Sequence, residues 1–196
     1  MNLNLGDTRL IIRACQNAGL LRNQAAYVLA TAYWETARTM KPVREYGGEA
    51  YLRSKKYYPF VGMGYVQLTW ERNYRDWSKR LGIDFIANPK LLLKSEHAVR
   101  VIVDGMRLGT FTGKKLADYI TLAKSDFTNA RRIVNGTDKA ASIASIALDY
   151  DADLKAIGYG KSAPVPTPRP APKPAAHTTN WFAALVTAIL AMFKRG

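Results

Sequence analysis

A chain of 196 residues with 48% hydrophobic and 22% charged residues can form one globular domain with a buried core and a further segment. A single cysteine excludes an internal disulfide, and two histidines argue against a histidine-based metal site; any chemistry is expected from carboxylates, without metal or cofactor. The formal net charge of +14 predicts a polyanionic partner such as nucleic acid, an anionic lipid surface or a bacterial wall.

Residues 1–160 predict one mainly helical domain, because apolar residues recur there at helical spacing. The predicted helices lie near 7–18, 22–38, 70–82, 95–108, 112–121, 126–134 and 138–156. Four residues are suited to begin helices: Asp7, Ser95, Thr112 and Asp126. Gly109 and Gly136 are suited to end them. The opening stretch MNLNLGDTRLII has no basic region followed by a long apolar core, so no secretory signal is predicted.

Glu35 lies at the end of the apolar stripe of the helix predicted over 22–38, next to Trp34. Partial desolvation there would disfavour the charged carboxylate and suit Glu35 to act as a general acid. The alternative is an exposed glutamate at a frayed helix end, paired with Arg38 at i+3.

Glu45 follows Pro42, which is expected to end that helix, so Glu45 can face Glu35 across a cleft. Glycosidic hydrolysis requires such a pair, one carboxyl to protonate the leaving oxygen and one to activate water or attack. Glu49, after two glycines, could replace Glu45 in this role. Alternatively, Glu45 is a surface residue paired with Arg44 or Lys41.

Residues 44–69 interrupt the helical pattern with glycines and clustered tyrosines, which predicts irregular chain with a small sheet. On a strand, Gln67 and Thr69 would point to one face together with Tyr65. Asn73 and Tyr74 would add polar groups suited to binding a sugar chain; the alternative is an ordinary strand, turn and helix with polar residues in solvent. The predicted fold class is mainly α, of the α+β type.

The last 36 residues differ in composition from the domain. Residues 161–176 predict a Pro-rich linker, in which alternate prolines favour an extended polyproline II segment. Residues 177–196 predict a C-terminal hydrophobic helix. Its apolar run, 181–193, would extend about 20 Å, short of the roughly 30 Å of a bilayer core. We expect an anionic membrane surface to bind 181–195; docking onto the domain or a partner is the alternative.

Three stretches, LATAYWETARTMKPVRE, GMGYVQLTWERNY and ARRIVNGTDKAASIASIA, together resemble the phage endolysins related to family 19 chitinases, in the lysozyme-like superfamily. The likeness covers roughly residues 5–158 and implies a helical two-lobed fold with a cleft. It also implies hydrolysis of β-1,4-linked amino-sugar polymers. Two positions depart from the family's usual pattern, with Trp34 in place of histidine and Met63 in place of arginine.

The resemblance implies roles for individual residues. It makes Glu35 the catalytic acid and Glu45 the second carboxylate. It implies that Gln67 and Thr69 line the site and help to hold the attacking water. It also implies three substrate-binding residues: Asn73, Tyr74 and Asn135. An inverting mechanism, as in the chitinase type, would need carboxyl groups about 6.5–9.5 Å apart.

These features favour a monomeric peptidoglycan hydrolase, a muramidase that causes bacterial lysis. Such a phage protein would be made in the host cytoplasm and act at the wall or periplasm, associated with the membrane through its C-terminal segment. A chitinase shares the motifs, and a lytic transglycosylase needs only the acid. A non-catalytic wall- or membrane-binding module belongs to another class. No nucleic-acid partner is expected, because the basic residues form no recognisable recognition motif.

Overall fold

The computed structural model describes residues 1–160. The predicted linker, 161–176, and the hydrophobic segment, 177–196, lie outside the described residues. Among residues 1–160, no helix has the length and apolar character needed to cross a membrane. Seven α-helices occur in this part of the chain: α1 Thr8–Asn17, α2 Arg22–Glu35, α3 Glu49–Arg53, α4 Glu71–Leu81, α5 Ser95–Leu108, α6 Leu116–Tyr119 and α7 Ala140–Ala156.

A small antiparallel sheet and two short 3-10 helices complete the described fold. Strand β1, Val43–Arg44, pairs with β2, Met63–Gly64, so that Val43 lies opposite Gly64 and Arg44 opposite Met63. The 3-10 helices are Pro89–Leu93 and Asn129–Ile133. The predicted fold class is thereby confirmed at the level of a mainly helical domain with a minor β element.

Helix α2 forms the centre of the hydrophobic core. Every residue from Gln24 to Ala32 is buried, because alanines let neighbouring elements approach this helix on all sides. Its most extensive partner is α7. Helix α7 buries residues such as Ala147, Tyr150 and Leu154, spaced three to four apart. The end of α2 is therefore rigidly placed, and this end carries Glu35.

Several predicted elements are shorter than expected. The helix predicted over 112–121 is only the single turn α6, because the Thr112 hydroxyl does not cap a helix. It donates instead to the carbonyl oxygens of Arg132 and Ile133, at 2.6 and 3.1 Å. The helix predicted over 126–134 is the second 3-10 helix. Helix α5 matches its predicted span and ends at Gly109, whose φ of 75° is left-handed as a glycine stop requires.

Asp7 joins four distant parts of the domain. Its carboxylate accepts hydrogen bonds from Lys41 Nζ at 2.7 Å, and from Tyr65 Oη and Ser95 Oγ at 2.6 Å each. Its backbone N–H donates to the carbonyl oxygen of Met40 at 2.8 Å. Burial alone would raise the pKa of Asp7, but the bonds from Lys41, Ser95 and Tyr65 outweigh burial and lower this pKa below its ordinary value.

We expect Asp7→Asn to lower the free energy of unfolding at pH 7 by about 2 kcal/mol, because charge-assisted hydrogen bonds are lost. A lowered folded-state pKa contributes stability that is complete above the unfolded value, near 3.9, and is lost as the pH falls through the folded value. The difference from wild type should therefore shrink below about pH 4. Urea titrations at pH 3, 4 and 7 measure it. The exposed residue Asp149 supplies the control, Asp149→Asn, and equal effects of the two variants would contradict the prediction.

Candidate active site

One cleft with a volume of about 470 Å³ brings together residues from distant parts of the chain. Glu35 enters it from the end of α2, and Glu45 from the residue after β1. The other lining residues come from the stretch 57–73, which includes β2 and the start of α4, and from the segments at 111 and 134–135: Tyr57, Gly62, Val66, Gln67, Leu68, Thr69, Trp70, Asn73, Phe111, Val134 and Asn135. The two glutamates that the sequence predicts as a pair therefore share one cleft.

The Glu35 side chain is bound by an arginine that lies 96 positions later in the chain. Its Oε1 accepts a hydrogen bond of 2.7 Å from Nη1 of Arg131, in the second 3-10 helix. The Arg131 side chain is 4% exposed and that of Glu35 is 18% exposed, so the pair is largely shielded from water. The alternative pairing with Arg38 does not form, because α2 ends at Glu35 and Arg38 has a left-handed φ of 68°.

Trp34 does not line the cleft with Glu35. It lies in a separate shallow depression with Ala37 and Arg38. Consecutive residues of a helix point about 100° apart, so the neighbour of an inward-facing glutamate is directed elsewhere. Trp34 therefore does not provide the apolar setting that the sequence predicted for this acid within the cleft.

Glu45 has a different environment. Its Oε1 accepts a hydrogen bond from Tyr57 Oη at 2.7 Å, and its Oε2 accepts one from the Gly62 N–H at 2.9 Å. The hydrogen bond to Glu45, with burial and the charge of that carboxylate, raises the pKa of Tyr57 to about 12. Tyr57 is therefore a hydrogen-bond donor near neutral pH, and both carboxylate oxygens of Glu45 are oriented by donors.

Glu49 does not share the cleft. It lies in a second cavity with Arg44 and Tyr58, where Arg44 Nη2 contacts its Oε2 at 3.0 Å and Tyr58 Oη donates to its Oε1 at 2.8 Å. These bonds, that from Tyr58 first, lower the pKa of Glu49 below its ordinary value. Arg44 is thus engaged by Glu49, and Lys41 by Asp7, so neither pairs with Glu45.

The segment from Gln67 to Asn73, which leads into α4, is held by hydrogen bonds from its own polar side chains. Gln67 Nε2 donates to the carbonyl oxygens of Val43 and Gly64, at 3.0 and 3.3 Å. Thr69 Oγ1 donates to the Gln67 carbonyl at 2.8 Å, and Asn73 Nδ2 to the Thr69 carbonyl at 2.7 Å. The expectation of a strand here is wrong: β2 ends at Gly64 and Gln67 has a φ of 53°. A turn, rather than strand alternation, directs these side chains to the cleft.

Two of the predicted substrate-binding residues lie outside the cleft lining. Tyr65 is fully buried and its hydroxyl binds Asp7. Tyr74 is also buried, and its hydroxyl donates to the Val61 carbonyl at 2.6 Å. The structure therefore gives both tyrosines a supporting position. Asn135 does line the cleft; its Oδ1 accepts a hydrogen bond of 2.8 Å from the Gly136 N–H.

Gly62 packs closely against the Gln67 side chain, and both residues line the cleft. A Cβ added there would lie 2.8 Å from Gln67 Oε1 and 3.3 Å from Gln67 Cβ. The Gln67 amide is anchored to Val43 and Gly64, so it cannot move aside without losing hydrogen bonds. The absence of a side chain at Gly62 therefore permits this packing.

We expect Gly62→Ala to lower the free energy of unfolding by about 1–3 kcal/mol through overpacking. The matched control is Gly48→Ala, since an added Cβ at Gly48 meets nothing within 4 Å and its φ is not left-handed. Urea unfolding of both variants measures the difference. Equal stability of the two would show that the wall at Gly62 is not tightly packed.

Sequence reasoning missed several cleft residues and the partner of Glu35. Arg131 lies in a quoted motif, but no local pattern links it to a residue 96 positions earlier. Tyr57 is one of two adjacent tyrosines, and nothing in the sequence separates the one that binds Glu45 from the one that binds Glu49. Trp70 lies within the GMGYVQLTWERNY motif, and its aromatic side chain is the feature that could have identified it as a cleft residue.

The cleft contains two carboxyl groups in different surroundings. Glu35 is bound to the buried guanidinium of Arg131, and Glu45 is bound to the Tyr57 hydroxyl and the Gly62 N–H. Such a pair can divide the roles of acid and base between its members.

Comparison with protein-family models, with curated proteins and with solved structures finds no match to this chain.

Proposed function

We propose that the protein is a peptidoglycan hydrolase with a lysozyme-like domain, similar to the phage endolysins related to family 19 chitinases. It would cut β-1,4 bonds between N-acetylmuramic acid and N-acetylglucosamine and so cause lysis. The observation that carries this proposal is the position of Glu35 and Glu45 in one cleft, each with its own hydrogen-bond partners.

In this proposal Glu35 is the general acid. Arg131 engages Oε1, and no other side chain of residues 1–160 bonds Oε2, so Oε2 is the oxygen that can carry the proton. Glu35 would transfer that proton to the glycosidic oxygen as the bond from this oxygen to the anomeric carbon breaks. Arg131 would act through Glu35 as a positioning residue, because its hydrogen bond orients the carboxyl group at the end of α2.

Glu45 is the base in this proposal. Its two oxygens accept hydrogen bonds from Tyr57 and from the Gly62 N–H, which orient the carboxylate and favour its role as an acceptor. It would remove a proton from the water that attacks the anomeric carbon. Thr69 and Gln67 line the same cleft and would help to hold this water. Inversion of the anomeric centre follows from such a mechanism.

The charge of the domain and the lining of the cleft support the proposed substrate class. Residues 1–160 hold 24 Lys and Arg against 15 Asp and Glu, and this positive field attracts the anionic polymers of a bacterial wall. Asn73 and Asn135 supply amide groups in the cleft that can bind the acetamido and hydroxyl groups of amino sugars. The membrane contact through residues 181–195, the location at the wall and the monomeric state stay predictions.

Mass spectrometry of fragments released from purified peptidoglycan by wild type and Glu45→Gln tests the proposal. We expect wild type to release chains with N-acetylmuramic acid at the reducing end, and Glu45→Gln to release at least about a hundredfold less. Anhydro-muramic products that persist in Glu45→Gln would show a lytic transglycosylase. Cleavage of chitin oligomers alone would show a chitinase. Release of nothing from either polymer by wild type would refute the enzyme and leave a binding module.

A further inference from the structure

Trp70 is a large aromatic residue that stays half exposed in a polar cleft. Its relative exposure is 51%, and it lines the cleft together with Glu45 and Asn73. Burying a tryptophan is favourable by several kcal/mol in general, so an exposed indole inside a concave site suggests a surface kept for a ligand.

The backbone at Trp70 is held in an unfavourable conformation. Its φ is 77° and its ψ is 137°, a region that residues with a side chain rarely occupy. Three backbone hydrogen bonds hold it there. Its N–H donates to the Phe60 carbonyl at 3.0 Å, and its own carbonyl accepts from the N–H groups of Asn73 and Tyr74 at 3.0 and 3.2 Å. Helix α4 begins directly after Trp70, so the helix start fixes the backbone from which the indole projects.

The indole ring is linked to the proposed base. It packs edge to face against Tyr57, with ring centroids 5.3 Å apart and an angle of 71° between planes. The Tyr57 hydroxyl donates to Glu45 Oε1 at 2.7 Å. The three side chains therefore form a continuous series from an exposed aromatic surface to a carboxylate.

We propose that Trp70 is a stacking platform for a pyranose ring next to Glu45, a sugar subsite of the cleft. One face of a pyranose is lined by C–H groups, and such a face packs on an aromatic ring while the hydroxyl and acetamido groups at its edge bind polar side chains. Asn73, in the same cleft, supplies an amide for that edge. This inference rests on the proposed function, since it requires that the cleft binds a glycan.

The test measures binding of N-acetylglucosamine oligomers, and of glycan strands freed of peptides, to the full chain carrying Glu35→Gln, which is expected to slow turnover strongly. In this background Trp70→Ala should weaken binding by about tenfold, and Trp70→Phe by less than about threefold, because a ring remains. The matched control is Tyr51→Ala, since Tyr51 is also 51% exposed and does not line the cleft. It should leave binding unchanged.

A second comparison uses Trp70→Gly and confirms that the variants are folded. Glycine adopts a positive φ without strain, so the glycine variant should melt about 3 °C higher than the alanine variant, the reverse of their usual order. Both should bind glycan equally weakly. In the active chain both should raise KM about tenfold and change kcat by less than about threefold.

Glycan binding and KM unchanged in Trp70→Ala and Trp70→Gly would overturn the stacking subsite, while fragment release by wild type would leave the proposed function intact. Equal losses in Tyr51→Ala would also overturn it, because the effect would not belong to the cleft. If the Glu35→Gln chain binds no glycan and wild type releases no fragments, the proposed function fails and the subsite fails with it.

Discussion

Replacement of Glu35 by glutamine is expected to lower the rate of glycan cleavage by about 10²–10⁴-fold, because the amide cannot protonate the leaving oxygen. The amide oxygen can still accept the hydrogen bond from Arg131, so the variant should remain folded. Release of reducing ends from purified peptidoglycan measures the rate, and circular dichroism confirms the fold.

The control for this variant is Glu96→Gln. Glu96 lies in the first turn of α5, its side chain is exposed, and it does not line the cleft. It should retain full activity. A Glu35→Gln variant that cleaves peptidoglycan as fast as wild type would exclude Glu35 as the acid.

The second large effect is expected when Arg131 is replaced, and it concerns the free energy of unfolding. Replacing Arg131 by methionine should lower the free energy of unfolding by about 3 kcal/mol, because it leaves the shielded Glu35 carboxylate without its cation. The hydrogen bond from Arg131 Nε to the Asp138 carbonyl, at 3.2 Å, is lost as well. Urea unfolding measures the change, and the adjacent exposed residue supplies the control, Arg132→Met.

A double variant separates the ion pair from the packing of the arginine. If the unpaired carboxylate causes the loss, Arg131→Met combined with Glu35→Gln should be less destabilised than the sum of the two single variants. Additive losses would show that Arg131 stabilises the domain only through its other contacts. Activity should be absent from the double variant in either case, because the proposed acid is gone.

The elements that the sequence predicts well are those with local causes. Helix α5 matches its predicted span, 95–108, because an amphipathic repeat and the glycine stop at Gly109 act within the segment itself. The presence of Glu35 and Glu45 in one cleft has a similarly local cause, since the chain turns shortly after α2 and brings the second carboxylate back towards the first.

The parts that could not be predicted depend on contacts between distant residues. The stretch 57–73 takes its shape from hydrogen bonds such as that from Gln67 to the Val43 carbonyl, and no periodic pattern in the local sequence predicts such a bond. Tyr65 was assigned to the cleft by strand alternation, but β2 is only two residues long. Its partner Asp7 lies 58 positions away, so sequence spacing alone could not reveal that its hydroxyl is already engaged.

The bond between Glu35 and Arg131 has a consequence for the timing of activity during synthesis. The two residues are 96 positions apart, so Glu35, the proposed acid, emerges from the ribosome long before the guanidinium that binds it. A nascent or truncated chain that ends before residue 131 carries both glutamates but lacks this partner. The Glu35–Arg131 pair on which the proposed acid depends therefore cannot form until translation has passed about two thirds of the chain.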